Sequence, residues 1–238
     1  MVLKDETIEA LLSKYISNNM VLSFGTGEES IKLVKKLALK IEEESLDISV
    51  VATNKQVAET LADMKIKTVS INDREIDLAI EFADLVDEEF NFIERDSGSF
   101  VRDKMIVQSA AELIVITDEK NYGKKLSGWI PFETCVFGWK RTLLQLEKLG
   151  KAKLRETNGK PYKTETNHYI IDVKVDEIYS PEDLEFQAKE IPGVLETGLF
   201  LGYADRILLH NGGLKMLSRL DYTKQGIAEE KAQMTIKP

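Results

Sequence analysis

The sequence predicts an α/β protein, built on a doubly wound parallel sheet that is interrupted late in the chain by a smaller α+β unit. Three observations carry this expectation. Strand-like and helix-like stretches alternate through the first 130 residues. The strand-like stretches are apolar throughout, as in a parallel sheet covered on both faces. After Pro131 the single alternation gives way to a strand-helix-strand-strand-helix-strand run.

Each element has its own signal. Residues 5–17 place Ile8, Leu11, Leu12, Tyr15 and Ile16 on one helical stripe, with Asp5 as its cap. MVLSF (20–24) reads as a buried strand, followed by the turn Gly25-Thr26-Gly27 and an amphipathic helix to about residue 43. The next unit is a strand at 47–52, the Thr53-Asn54 turn and a helix over 55–64. Strands at 66–71 and 76–82, a helix at 100–111 and the apolar strand 112–117 complete the first part. Beyond Pro131 the expectations are a strand at 132–138, a helix at 139–150 ended by Gly150, and a strand at 167–175. Ser180-Pro181-Glu182 then opens a helix, with serine at the cap and proline in the first turn. Residues 193–200 finish the small unit, and 205–210 return as a strand to the first sheet. The division expected is 1–130 plus 205–238 for the large domain and 131–204 for the small one. Ligands of doubly wound sheets sit beyond the carboxyl ends of the strands, so chemistry is expected in the loops after residues 24, 52, 82 and 117.

Composition narrows the function. At 238 residues, with 43% hydrophobic and 31% charged, the chain has the balance of a globular protein with a substantial core. A net charge of −9 argues against nucleic acid or an anionic membrane as partner, because both select a basic face. No stretch approaches the ~18 apolar residues of a membrane helix, and the charged N-terminal segment lacks a signal peptide's apolar centre. The single cysteine, Cys135, forms no internal disulfide and reads as a small buried apolar residue, in keeping with a cytoplasmic protein.

Several segments share an order and spacing. Ser23-Phe24-Gly25-Thr26-Gly27 follows the first strand, and Glu81-Phe82-Ala83-Asp84 ends a later one. ERDSGSFVRDK (94–104), LIVITDEKN (113–121), Pro131-Phe132-Glu133 and IPGVLETGLF (191–200) follow. Together they resemble the type A ribose-5-phosphate isomerase family, the last segment almost letter for letter. The resemblance implies a Rossmann-like domain with an inserted, smaller α+β (ferredoxin-like) domain that serves oligomerisation, in a homodimer or homotetramer. It implies a small sugar-phosphate substrate, no cofactor and no metal. The reaction it implies interconverts ribose 5-phosphate and ribulose 5-phosphate, a carboxylate moving a proton between C2 and C1 through an enediolate.

By the same resemblance Asp103 holds the place of the family's glutamate base, one methylene shorter. Asp84 matches the second aspartate of the acidic motif and Glu81 replaces the first, both suited to ring opening and hydroxyl contacts. The glycine turn, with Gly25, Thr26, Gly27 and Ser30, is an anion site by its unpaired N–H groups and helix dipole. Lys55, Arg95 and Lys120 are the expected sources of positive charge, and Gly98 of close backbone approach. The sequence departs from the family at Phe82 (glycine there), at Glu94 (lysine there) and at Glu28-Glu29 (Ser-Thr there). Three of these changes add negative charge where an anion is to bind. They keep two further readings open: a non-catalytic homologue that binds a metabolite or partner, and an isomerase for a less anionic sugar. His168 and His210 lie in strand-like runs and are expected to be structural, and Trp129 and Trp139 to pack at the domain junction.

Overall fold

The computed structural model describes residues 2–211 and 213–220; the expected return of the chain over 221–238 lies outside them. Its helices are α1 (Asp5–Tyr15), α2 (Glu28–Glu44), α3 (Lys55–Asp63), α4 (Phe100–Ser109), α5 (Trp139–Leu146) and α6 (Pro181–Lys189). The strands of the first part are β1 (Val21–Phe24), β2 (Ser49–Ala52), β3 (Lys67–Thr68), β4 (Leu78–Phe82), β5 (Leu85–Val86), β6 (Phe92–Ile93) and β7 (Leu113–Asp118). Those that follow are β8 (Gly128–Thr134), β9 (Lys151–Leu154), β10 (Glu156–Thr157), β11 (Lys160–Pro161) and β12 (Tyr169–Val175). β13 (Val194–Thr197), β14 (Leu199–Phe200), β15 (Arg206–His210) and β16 (Leu214–Ser218) complete the set.

The main sheet has the order β16-β15-β7-β4-β1-β2-β3, parallel except for β16. Successive side chains of a strand point to opposite faces, and both faces are buried. Leu22, Phe24, Val50, Leu78, Ile80, Ile114 and Ile116 meet Ile8, Leu11, Leu12, Leu33, Leu37, Val57 and Leu61 of α1, α2 and α3. Their neighbours in sequence, Val21, Val51, Ala79, Leu113 and Val115, meet Phe100, Ile106 and Val107 of α4. This two-sided burial is why the strands read as unbroken apolar runs, each fully buried large side chain contributing about 1.5–3 kcal/mol. β1 lies between β2 and β4, so the chain leaves β1 in one direction and later returns on its other side. That switch point, between β1 and β4, opens a crevice at the strands' carboxyl ends.

The second sheet has the order β13-β8-β12-β9, with every neighbouring pair antiparallel. α5 connects β8 to β9 and α6 connects β12 to β13, which is the ferredoxin-like connectivity. β14-β6-β5 form a short third sheet.

Several boundaries differ from expectation. The strand expected at 132–138 runs from Gly128 to Thr134, because Gly138 (φ +71) begins a turn that leaves Phe137 95% exposed. The helix expected to reach Gly150 ends at Leu146. Of 66–71 only Lys67 and Thr68 pair, both exposed on the sheet's edge. The strand expected between the first helix of this run and 167–175, whose residues the sequence did not locate, is β9; its Lys-Ala-Lys-Leu alternation is that of an edge strand guarded by lysines. Asp5 is not the cap of α1, since Lys4 occupies that position; Asp5 sits in the first turn, 2.8 Å from Lys36. Ser180 does cap α6, its hydroxyl accepting the Asp183 N–H at 3.1 Å. Cys135 is half-buried rather than buried. No helix among the described residues is long and apolar enough to cross a membrane.

Gly198 splits the 193–200 segment into β13 and β14. Its N–H donates to the Pro131 carbonyl at 2.8 Å, and its carbonyl accepts the Glu94 N–H at 3.0 Å. A Cβ there would lie 2.4 Å from the Glu94 carbonyl oxygen and 2.5 Å from Pro131 Cγ. The first of these is backbone and cannot swing away. Gly198→Ala should therefore destabilise the fold by about 1–3 kcal/mol, read as a lower urea midpoint at unchanged slope.

Candidate active site

A cavity of about 240 Å³ opens at the switch point. Thr26, Gly27, Glu28 and Glu29 reach it from the turn after β1 and the start of α2; Phe82, Ala83 and Asp84 from the end of β4. Glu94 and Asp96, from the segment after β6, and Asp118 and Asn121, from the end of β7 and the turn after it, close the wall. Among the described residues that line it, six are carboxylates and none is Lys or Arg.

Beneath this wall lie buried acids whose positions follow from strand periodicity. Ala79 faces α4, so Glu81 two residues on faces α4 as well, and Asp103 stands in the first turn of that helix. Glu81 is fully buried, and neither oxygen has a hydrogen-bond partner among the described residues. It packs against Gly25, where a Cβ would lie 1.7 Å from Glu81 Oε2 and would make the free end of that side chain turn away. Burial, and secondarily Asp103, hold Glu81 well above the ordinary carboxylate range. Glu94 is 3% exposed, and its Oε2 also has no partner among the described residues. Burial raises it strongly, and Glu81, Asp103, Asp84 and Asp96 add to the effect. Asp103 is buried too, and burial raises it from 3.8 to about 7. A hydrogen bond from the Ser97 hydroxyl opposes that rise, Glu133 adds to it and Arg102 lowers it.

Two buried contacts fix α4 and therefore Asp103. Glu133, on β8, accepts from the Ser99 hydroxyl at 3.0 Å, the Val101 N–H at 3.0 Å, and the Thr164 and Thr166 hydroxyls at 2.8 and 2.6 Å. His168 Nδ1 lies 3.0 Å away on the same carboxylate. Ser99 is the cap of α4, accepting the Arg102 N–H. Lys104, the next residue after Asp103, is buried with its Nζ 2.5 Å from Glu185, 2.7 Å from Glu196 and 3.2 Å from the Thr197 hydroxyl. The helix carrying the candidate base is thus held by residues of the second sheet and of α6.

The expected site residues divide. Gly25, Thr26, Gly27, Asp84 and the buried pair Glu81 and Asp103 gather at the switch point, while Ser30 lies buried in the first turn of α2. Gly98 packs at the mouth of α3, where a Cβ would stand 3.2 Å from Asn54 Cβ. None of the three expected cations lines the cavity, although Arg95 and Lys120 each lie 3.9 Å from a lining carboxylate, Asp84 and Asp118. Lys55 is 79% exposed, 3.6 Å from Glu59 one turn along its helix. Arg95 turns its guanidinium to the carbonyls of Trp129 (3.0 Å) and Ser127 (2.9 Å), while its N–H donates to Asp84 at 2.7 Å. Lys120 is 78% exposed and 3.9 Å from Asp118. The charges of Arg95 and Lys120 are thus shared with lining carboxylates, and that of Lys55 with Glu59.

The lining residues Asp96, Asp118 and Asn121 were not singled out beforehand, although the loop after 117 was flagged by its place at a strand end. Phe82 both lines the cavity and packs onto the core beside α2. His168 serves Glu133, as a structural histidine should, and His210 lies 3.3 Å from Asp118. Trp129 stacks under Lys153 and Trp139 meets Tyr169 edge-on. Among the described residues no group of three His, Cys, Asp or Glu is arranged to hold a metal ion.

A doubly wound sheet, a ferredoxin-like second sheet and a carboxylate crevice at the switch point define a class of α/β protein equipped for proton transfer. The chain belongs to the ribose 5-phosphate isomerase A (phosphoriboisomerase A) family, whose model matches residues 49–213. It is 35% identical to a Synechococcus ribose-5-phosphate isomerase A, over 87% of this chain and 92% of that protein. The enzyme of the same name from Methanothermobacter thermautotrophicus is 30% identical, with 85% and 92% covered. Among solved structures, a D-ribose-5-phosphate isomerase in complex with phospho-erythronic acid superposes with a TM-score of 0.83 at 31% identity, covering 90% of this chain and 96% of that one. The ribose 5-phosphate isomerase A of Methanocaldococcus jannaschii gives 0.83 at 26% identity, covering 90% and 97%.

The raised pKa of Asp103 has a sign that can be measured. Between pH 3.8 and about 7 the folded protein keeps a proton that the unfolded chain releases, so Asp103 lowers stability progressively as pH rises through that window. Asp103→Asn removes the titration. The stability difference, Asp103→Asn minus the parent, should grow from pH 4 to pH 7 in urea titrations and level off above about 7.

Proposed function

We propose that this chain interconverts ribose 5-phosphate and ribulose 5-phosphate in the cytoplasm, as an enzyme of pentose phosphate metabolism. The observation that carries the reading is Asp103, a buried carboxyl raised to about 7 beneath the crevice of this family's fold. A base of that strength can take a proton from carbon and return it at neutral pH. In this reading Asp103 removes the proton at C2 and delivers it to C1. Asp84, held by the Arg95 N–H, faces the substrate hydroxyls. Thr26 accepts from the Asn54 amide at 3.1 Å, which leaves its own O–H to donate into the cavity. The phosphate lies against the N-terminus of α2, where Gly27 (φ +110) has no atom within 4 Å of a notional Cβ. Glu29 weakens that site less than its charge suggests, because it is engaged by Lys32 at 2.8 Å and by the Leu3 N–H at 3.0 Å.

The ring of carboxylates without Lys or Arg favours a second reading, an isomerase of the same mechanism for a less anionic sugar. Residues 131–204 are proposed as the oligomerising part of a homodimer or homotetramer, supported by the exposed Phe137 and Phe186.

The purified protein should convert ribose 5-phosphate to ribulose 5-phosphate, and kcat/KM should rise with pH through about 7 as Asp103 ionises. Asp103→Asn should lower kcat by about 10²-fold or more with the fold intact by circular dichroism. Turnover of the unphosphorylated pentose, with none of the phosphate ester, would transfer the assignment to the second reading. Absence of turnover on both would sink the isomerase assignment.

A further inference from the structure

We propose that Glu94 is a catalytic acid of this site, giving a proton to one oxygen of the enediolate and taking one back from the other. The inference deepens the isomerase reading and rests on it. Glu94 reaches the cavity wall while being 3% exposed, and its Oε2 has no hydrogen-bond partner among the described residues. A buried polar atom left unpaired at the wall of a cavity is one that a ligand can satisfy. Its position is held by the backbone: the Glu94 N–H donates to the Gly198 carbonyl at 3.0 Å, and Gly198 has no room for a side chain. These contacts fix the backbone of Glu94, and burial of the residue restricts the rotamers open to its carboxyl.

The surroundings decide which form it takes. Glu81 and Asp84 face it from β4 and the turn beyond, Asp103 from α4, and Asp96 from its own segment; Arg95 is turned to the Trp129 and Ser127 carbonyls. Burial and four acidic neighbours all favour the protonated carboxyl at neutral pH. With no Lys or Arg in the wall, a neutral acid is the strongest hydrogen donor that the lining supplies to a developing oxyanion.

The steps balance. Asp103 takes the C2 proton while Glu94 protonates O1, giving the cis-enediol. Asp103 then returns its proton to C1 as the O2 hydroxyl gives its proton to the Glu94 carboxylate, so both groups end as they began. Glu94 has to be protonated and Asp103 ionised, so kcat/KM is bounded on its alkaline side by Glu94 and on its acid side by Asp103.

Glu94→Gln tests this, because the amide keeps the shape and cannot transfer a proton. The expected result is a fall in kcat of about 10²-fold or more, KM within a few-fold of the parent, and loss of the alkaline limb. Glu94→Asp should keep that limb at reduced kcat. An infrared difference spectrum, parent minus Glu94→Gln at pH 7, should contain the C=O stretch of an un-ionised carboxyl. A Glu94→Gln enzyme with parental kcat, an alkaline limb that survives the substitution, or a difference spectrum showing only an ionised carboxylate each overturns the role. If the parent protein itself turns over no ribose 5-phosphate, the isomerase reading fails and this role fails with it. Parental turnover with unchanged Glu94→Gln kinetics removes the role of Glu94 alone.

Discussion

The carboxylate of Glu133 is the contact on which the rest of the site depends. It is completely buried, and it is satisfied by hydroxyls, a backbone N–H and an imidazole drawn from two separate stretches of chain, 99–101 and 164–168. A carboxylate in such surroundings is favourable only when its lone pairs are filled, and a missing donor costs about 1–3 kcal/mol. Satisfying Glu133 fixes Ser99, Ser99 caps α4, and α4 carries Asp103 and Lys104. The second sheet therefore positions the chemistry of the first one, although the crevice itself is lined by elements of the first part of the chain.

The electrostatics of the crevice follow from a concentration of acids whose buried members, Glu81, Glu94 and Asp103, form no salt bridge among the described residues. Around Lys104 the carboxylates are anchors: Glu185 and Glu196 lie 2.5 and 2.7 Å from its Nζ, and Lys104 helps hold Glu196 below the ordinary carboxylate range. Where carboxylates meet one another under the crevice, burial and mutual repulsion hold Glu81 and Glu94 well above the ordinary range and raise Asp103 to about 7. The same residue type thus supplies anchors in one place and proton carriers in another, and the difference lies only in the neighbours.

Most of the fold was legible in the sequence because it rests on periodicity. The apolar runs of β1, β2, β4 and β7 and the stripes of α1 and α2 are local signals of two-sided burial. The Ser180-Pro181 start of α6 is equally local. β9 escaped placement and the short β3 was overdrawn because edge strands bury little and carry a weak pattern. The site was legible at its glycines and acids, whose places at strand ends are set by topology. Lys55, Arg95 and Lys120 illustrate what sequence distance hides. Each lies near the crevice along the chain, yet none lines it: Lys55 meets Glu59, Arg95 the carbonyls at Ser127 and Trp129 together with Asp84, and Lys120 solvent and Asp118. The role of Glu133 was equally hidden, because its donors come from residues that lie more than thirty positions away in sequence.

Gly25 and Glu81 occupy one space between them. The carboxyl of Glu81 fills the volume where a Cβ at position 25 would stand, so the two positions form an epistatic pair. A side chain at 25 requires the Glu81 carboxyl to turn away or a shorter residue at 81, and shortening 81 alone leaves a void under the crevice beside Asp103. A mutational path through this pair passes through either a displaced carboxyl or a cavity, and both change the environment that tunes Asp103. The evolvability of the site is therefore limited by the shape of a glycine as much as by the chemistry of its acids.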